Sequence, residues 1–506
     1  MSAYKIGFDN EQYLEAQSKS ILDRAAQFGN KLYLEFGGKL MYDYHAARVL
    51  PGFDPNVKME LLKRLGNEIE VIICIFSGDI ERKKMRADFG ITYDTDTLKL
   101  IDDLRDMGVE VSGVVVTRYN GQQIVKQFMN KLTRRGVKVY THHPIKGYPT
   151  NIDLIVSKEG YGANEYIETT KPIVVVTAPG PGSGKMATCL SQVYHEYRRG
   201  VEAGYAKFET FPIWNLPLKH PVNMAYESAT ADLGDFNQVD PFHLEVYGET
   251  AVNYNRDVEA FPVVKKIMLR IMGNHLVYKS PTDMGVNKAG LAIIDDEVVR
   301  KAAKQEMIRR YFRYSCEYAM GVASKKTVER AELLMKELNL KPTDRKVVQY
   351  ARKASIEAKE KGKGNEGVFA GAALKLMNGK IITGNNSPLM HSASSLILNA
   401  IKELAGIPHD IHLLSPNILK SISNLKSEFY NNERLSLNLE ETLIALSISA
   451  DFNPSAKVAM ERLKDLNGCE MHSTHIPTPG DEAGLRRIGL NITSEPNFSS
   501  KSLFIP

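Results

Sequence analysis

Residues 174–194 read VVVTAPGPGSGKMATCLSQVY and combine a β-branched apolar run, a glycine-rich turn, a lysine and a segment compatible with a helix. This order is typical of a loop that binds phosphate between a strand and the N-terminus of a helix. Two residues depart from the usual pattern G-x-x-x-x-G-K-[ST], because Pro179 replaces the first glycine and Met186 replaces the Ser or Thr. The stretch therefore predicts a strand–turn–helix unit of an α/β domain and raises the question of nucleotide binding.

The turn offers two kinds of group that attract anions. Its glycines let the backbone turn tightly and point N–H groups inward, and its lysine adds a mobile positive charge. A second lysine in a Gly-Gly-Lys sequence follows another predicted strand and is a reasonable ligand for an acidic molecule. We predict a cofactor-binding site that contains Gly180, Gly182, Ser183, Gly184, Lys185 and Lys39. The alternative is a turn that only joins a buried strand to an amphipathic helix.

The cofactor expected at such a turn is ATP or another nucleotide with Mg²⁺. The hydroxyl that usually binds the metal is missing at Met186, and Thr177, Ser183 or Thr188 would have to replace it. The apolar run that ends in acids at residues 291–297 (LAIIDDE) resembles a second metal-binding strand only loosely. Acids are also favoured at the start of a helix, and we prefer that interpretation.

The chain around the turn alternates short apolar runs with helical patterns, which favours an α/β domain over residues 1–250 with a mostly parallel sheet. Predicted strands cover residues 31–39, 70–77, 109–117, 137–142, 152–158 and 173–177, and predicted helices cover residues 94–107 and 122–135. Residues 251–365 have the apolar spacing of helices, and strand–helix alternation returns over residues 366–506. We therefore predict an α/β multidomain protein with a helical middle.

The composition narrows the class of protein. A chain of 506 residues exceeds one ordinary domain, and a net charge of +5 is too small to indicate nucleic-acid binding. The four cysteines form no CxxC pair, and no apolar run approaches the length of a membrane span. We expect a cytoplasmic protein whose partner is a phosphorylated small molecule rather than nucleic acid or membrane. Homo-oligomer formation is left open.

A polar segment at residues 232–245 (DLGDFNQVDPFHLE) is a candidate for acid–base chemistry. Its acids and histidine are residue types that transfer protons or bind hard cations. We assign Asp240 and His243 as candidate catalytic residues. The alternative is a loop whose acids simply face water.

The C-terminal third contains a segment, residues 369–406, with the hairpin sequence GKIITG followed by Asn386. Together with Ser415-Pro416 this segment resembles the cytidine deaminase fold, in which His391 would stand at the first zinc-ligand position. Asn417 and Lys420 occupy the two cysteine positions, and residues 392–394 supply no glutamate. The resemblance thus implies the fold without zinc deamination, which needs three protein ligands.

Residues 469–489 (CEMHSTHIPTPGDEAGLRRIG) concentrate polar side chains around a Pro-Gly turn. We assign His475 and Asp481 as further candidate catalytic residues. A metal site formed by these two residues and His472 is a weaker alternative, and we predict no metal.

The whole chain, from KLYLEFGGKLMYDYHAARVLPGFDPN through TAPGPGSGKM to HSTHIPTPGDEAGLRRIG, also resembles a bacterial family of unknown function. Some of its members have carried the label of an ATP-dependent peptidase. The sequence contains no H-E-x-x-H motif and no nucleophile elbow, so it gives that label no support.

These features lead to one principal functional hypothesis. It is an enzyme that binds a nucleotide or a phosphorylated metabolite and acts by phosphoryl transfer, nucleotide-driven ligation or hydrolysis. One alternative is a non-catalytic metabolite sensor with a degenerate deaminase-like domain. Another is an enzyme whose phosphate-loop resemblance is accidental and whose chemistry lies at His472, His475 and Asp481.

Overall fold

The computed structural model describes residues 5–29, 31–86, 90–273, 278–430 and 436–500. The chain divides into two compact units, a first unit of residues Lys5–Ala303 and a second unit that begins at Lys304. The three regions suggested by the sequence stay a prediction about domains.

The first unit is built on a six-stranded sheet in the order β6-β5-β2-β7-β1-β8 with every neighbouring pair parallel. Valine and isoleucine dominate its central strands because strands covered on both faces need apolar side chains in both directions. The mostly parallel sheet expected from the sequence is confirmed. Its strands are β1 (Leu32–Phe36), β2 (Ile69–Phe76), β5 (Val111–Thr117), β6 (Val139–His142), β7 (Ile173–Thr177) and β8 (Gly204–Phe208).

Two short strand pairs and twelve helices complete the first unit as far as it is described. The pairs are β3 (Met85–Arg86) with β4 (Ile91–Thr92), and β9 (Asn237–Val239) with β10 (Val252–Tyr254). The helices are α1 (Asn10–Ala26), α2 (Tyr44–Val49), α3 (Val57–Leu65), α4 (Ser77–Glu81), α5 (Tyr93–Asp106), α6 (Gln123–Thr133), α7 (Ile152–Ile155), α8 (Lys185–Arg198), α9 (Pro221–Ala229), α10 (Pro241–Tyr247), α11 (Asn255–Met272) and α12 (Pro281–Met284).

The prediction of a strand at residues 152–158 is wrong. The chain forms the short helix α7 there, because the side chain of Asn151 accepts a hydrogen bond from the backbone N–H of Leu154 and starts a helical turn. Asparagine is a preferred residue at this capping position. The apolar run IDLIV is therefore not enough to define a strand.

The order of the strands places a crevice at the carboxyl end of β7. The chain moves from β1 through β2 and β5 to β6 in one direction, then reverses to insert β7 between β2 and β1 and to add β8 beyond β1. In open parallel sheets, ligands bind where the connections diverge in this way. The turn after β7 and the loop after β1 border that point.

The second unit contains a four-stranded mixed sheet in the order β12-β11-β13-β14, in which only β13 and β14 are parallel. The deaminase-like identity of this α/β arrangement stays a prediction. The strands are β11 (Gly371–Lys375), β12 (Ile381–Asn385), β13 (Glu470–Ser473) and β14 (Asn491–Ser494). The boundary between the units falls within α13 (Asp296–Ala319), and the later helices are α14 (Lys325–Glu337), α15 (Val347–Glu360), α16 (Ser392–Ala405), α17 (Pro416–Tyr430), α18 (Leu439–Ala450), α19 (Pro454–Met460) and α20 (Pro479–Ile488).

A buried arginine holds the edge of this second sheet. The Arg345 side chain is 2% exposed and pairs with Glu470 on β13. Its guanidinium donates hydrogen bonds to the carbonyl oxygens of Met471 and Asn491, at 3.1 and 3.0 Å, and to the Thr493 hydroxyl at 3.0 Å. One side chain thus satisfies polar groups of both parallel strands.

Replacing Arg345 by methionine should destabilise the second unit by about 3 kcal/mol or more, because several buried acceptors lose their donor together. Chemical denaturation followed by circular dichroism would measure the change. Lys375→Met is the matched control, since Lys375 is exposed on β11 of the same sheet. Equal midpoints for the two variants would contradict the prediction.

Candidate functional site

The turn after β7 takes a conformation that only glycine adopts readily. Gly182 has φ of 71° and Gly184 has φ of 87°, both in the left-handed region. Gly184 is also the N-cap of α8, and a Cβ atom there would lie 3.0 Å from Cβ of Thr117 at the end of β5. No side chain caps the N-terminus of α8. The glycines therefore allow the turn to pack closely and leave a helix N-terminus without a capping oxygen.

Side chains of the turn itself and of residues at the end of β5 hold the carbonyl groups of the turn. The Ser183 hydroxyl donates to the Gly180 carbonyl at 2.8 Å, and the Thr117 hydroxyl donates to the Ser183 carbonyl at 2.8 Å. Arg118 donates to the Gly182 carbonyl, and its guanidinium lies 3.5 Å from the centroid of the Phe76 ring. Arg118, which the sequence analysis did not select, thus links β5 to the turn.

Two polar side chains at the turn have no partner within the part of the chain that the structure describes. Lys185 is half-buried, and no hydrogen bond or ion pair of its amino group is formed within the described residues. The Thr177 hydroxyl is fully buried at the end of β7 and likewise has no partner among the described atoms. A buried hydroxyl without a partner is uncommon and calls for a specific explanation.

Lys39 lies beside this turn, and its role in binding a cofactor stays a prediction. Lys39, Lys99, Ala178 and Pro179 all border one small cavity of about 20 Å³. Lys39 belongs to the loop after β1, so the structure brings the loops after β1 and β7 together at the crevice.

A half-buried ionic cluster at the end of β8 adds a residue, Glu209, that the sequence analysis missed. Lys207 lies 3.0 Å from the Glu209 carboxylate and 2.5 Å from the Asp257 carboxylate. Burial raises the pKa of Glu209 to about 7. The negative charges of Asp257 and Glu35 also raise this pKa, whereas the positive charge of Lys207 lowers it. The sequence signal for this cluster was the pair of charged residues in KFE (residues 207–209) at a strand end. Asp257 is distant in the chain, so the sequence does not show that it pairs with Lys207.

Asp240 and His243 lie in a structural hydrogen-bond network. Asp240 is fully buried, caps α10, and accepts further hydrogen bonds from the N–H and hydroxyl of Thr282. His243 is paired with the Ser280 hydroxyl at 3.1 Å, and its ring lies 6.1 Å from that of Trp214. Their catalytic assignment stays a prediction, and the contacts supply a structural role.

The acids at residues 295 and 296 act as helix-start residues. Asp295 accepts hydrogen bonds from the backbone N–H groups of Glu297 and Val298, and Asp296 pairs with His220 at 2.8 Å. The residues before them form a 3-10 turn instead of a strand. The capping interpretation is confirmed, and these acids do not provide the metal-binding strand that the nucleotide hypothesis would use. The expected nucleotide with Mg²⁺ stays a prediction.

The other two candidate residues, His475 and Asp481, border a cleft of about 570 Å³ in the second unit. His391 joins them there, and its Nδ1 lies 2.7 Å from the Asp481 carboxylate. Burial lowers the pKa of His475, although the charge of Glu495 opposes the shift. Sequence analysis identified all three residues but could not place His391 beside Asp481.

The alternative metal site is not formed. Met471 and Ser473 border the cleft, whereas His472 between them is fully buried and paired with the Thr493 hydroxyl at 2.9 Å. Neighbouring residues of a strand point to opposite faces, which separates His472 from the cleft. Among the described residues no group of three or more histidines, cysteines or acids could hold a metal ion. No helix among these residues has the length and apolarity needed to cross a bilayer.

Comparison with known proteins identifies the family. The family described as "Domain of unknown function DUF1846" matches residues 6–339 with its N-terminal part and residues 343–504 with its C-terminal part. The chain belongs to the DUF1846 family. The full-length family resemblance noted in the sequence is thereby confirmed.

Relatives in clostridia cover the same length. The UPF0371 proteins of Clostridium botulinum (strain Alaska E43 / Type E3) and Clostridium tetani (strain Massachusetts / E88) are each 58% identical over 500 residues, which is 99% of this chain and 99% of theirs. Neither the family description nor these names state a ligand or a reaction. The peptidase label and the deaminase-like fold gain no support from them.

Glu209 should make the first unit lose stability as the pH rises through about 7. Its folded pKa of about 7 lies above the ordinary value of 4.5. The contribution of Glu209 to the free energy of unfolding is therefore fully present below pH 4.5, and it is lost as the pH rises through the folded pKa. Glu209→Gln should remove this loss, so its melting temperature should rise relative to wild type as the pH increases. Glu245→Gln, at an exposed position of the same unit, is the control. Parallel pH profiles for wild type and Glu209→Gln would be inconsistent with the prediction.

Proposed function

We propose that the first unit binds a small molecule through a phosphate group at the crevice between the loops after β7 and β1. The observation that carries the proposal is the uncapped N-terminus of α8, with the half-buried Lys185 at its first position and no partner for that amino group among the described residues. Backbone N–H groups at a helix N-terminus and a nearby ammonium are favourable contacts for phosphate oxygens.

The surrounding contacts support binding rather than a purely structural turn. Thr117 and Arg118 hold carbonyl groups of the turn, so its conformation does not depend on a ligand. A site whose donors are already fixed loses little conformational entropy when it binds. Lys39 adds a positive charge on the other side of the crevice.

Glu209 is the residue that we propose for proton transfer on such a ligand. It follows β8, which is two strands from β7, so it stands about 10 Å from the turn at the usual spacing between strands. Its pKa of about 7 suits a group that gains and loses a proton near neutral pH. This geometry favours a nucleotide or a phosphorylated metabolite, with phosphoryl transfer, ligation or hydrolysis as the class of reaction.

Binding should be visible as thermal stabilisation that depends on Lys185. A ligand at about 100 times its dissociation constant adds roughly 2.7 kcal/mol of stability, which should raise the melting temperature by a few degrees. The experiment is a melting panel of ATP, GTP, inorganic phosphate and sugar phosphates, each with and without Mg²⁺, on wild type and Lys185→Ala. Stabilisation of wild type alone is expected.

Lys126→Ala is the matched control, because Lys126 is an exposed lysine on α6 of the same unit. It should retain the full response to the ligand. If the panel leaves wild type unchanged, or stabilises Lys185→Ala equally, the proposed phosphate site is wrong.

A further inference from the structure

The cleft of about 570 Å³ in the second unit has a size suited to a small metabolite. Three helices of different parts of the chain begin at its wall: α16 after His391, α18 after Asn438 and α20 after Thr478. All three of these N-cap residues border the cleft. The positive ends of three helix dipoles therefore meet at one place.

Asp481 fixes this arrangement from within the protein. Its Oδ1 accepts the backbone N–H of Leu439 at 2.9 Å, and its Oδ2 accepts from His391 Nδ1 at 2.7 Å and from the Thr478 hydroxyl at 2.8 Å. Because a carboxylate only accepts, His391 donates this hydrogen bond from Nδ1, and in the neutral imidazole Nε2 is then an acceptor. The His391 side chain is 28% exposed and borders the cleft.

The N-terminus of α16 differs from the other two. Asp481 and Glu441 occupy the first turns of α20 and α18, whereas α16 has no acid in its first turn and no side-chain cap. Ser392, its first residue, is 8% exposed and borders the cleft, and its hydroxyl forms no hydrogen bond within the described residues. The hydroxyl of a largely buried serine and an uncapped helix N-terminus thus border the same cleft.

Two ion pairs involve acids that border the cleft, and a third acid, the exposed Glu366, borders it as well. Lys426 pairs with Glu441 at 2.9 Å, and Arg487 pairs with Glu440 at 2.8 Å. The groups that the cleft offers to a ligand include the donors at α16 and Nε2 of His391.

We propose that this cleft is a second binding site, specific for a small metabolite that carries an oxyanion group and a neighbouring hydroxyl or amino group. The oxyanion, a carboxylate or a phosphate, accepts from the Ser392 hydroxyl and the first-turn N–H groups of α16. The neighbouring hydroxyl or amino group donates to Nε2 of His391. The proposal is independent of the phosphate site in the first unit.

The test uses the full chain carrying Lys185→Ala, which excludes binding at the first unit from the readout. Calorimetric titration with glycolate and with glycerol 3-phosphate separates a carboxylate from a phosphate as the preferred oxyanion, and ethylene glycol serves as the neutral probe. We expect one or both anions to bind at millimolar concentration and ethylene glycol not to bind.

His391→Asn is the decisive variant, because the asparagine amide can still donate to Asp481 while the cleft-facing nitrogen is lost. It should keep the melting temperature of its parent and weaken binding of the anion by about tenfold, and Ser392→Ala should weaken it by a similar factor. His412→Asn, at an exposed histidine of the same unit, should leave binding unchanged. Absence of binding by both anions, or full binding by His391→Asn, would overturn the proposal.

Discussion

The pairing of β7 on both edges is the constraint on which the first unit depends. Its five residues are all buried between β2 and β1, so its backbone groups must be satisfied by parallel neighbours on each side. That position fixes where the next residues emerge, and it brings them against the end of β5 through Thr117 and Arg118. The geometry of the turn thus follows from strand order as much as from its own glycines.

The second unit depends on polar groups that satisfy several partners at once. Arg345 serves β13 and β14, and Asp481 serves the starts of three helices. Removing such a group would leave many buried donors or acceptors without partners, whereas an apolar contact of the same size could be repacked. Asp481 thus holds together the three helix starts that border the cleft.

Sequence reasoning succeeded where the signal was local. The strand at residues 173–177 and the long helix after Asp295 follow from uninterrupted periodicity and a capping acid, and both are present. The strand expected at residues 152–158 failed because a single capping residue outweighed a short apolar run. At the sites, residue types were informative but pairings were not. Asp257 contributes to the raised pKa of Glu209, and His391 contacts Asp481, which is 90 positions away in the chain. Neither environment can be predicted from neighbouring residues in the sequence.

Trp214, whose ring lies near His243, is the single tryptophan of the chain. Its indole N–H donates to the carbonyl of Asn287 at 3.0 Å, so it is anchored within the first unit. Tryptophan emission consequently follows the first unit alone, while far-ultraviolet dichroism follows the whole chain. The intrinsic fluorescence of Trp214 therefore distinguishes the unfolding of the first unit from that of the whole chain without an added dye.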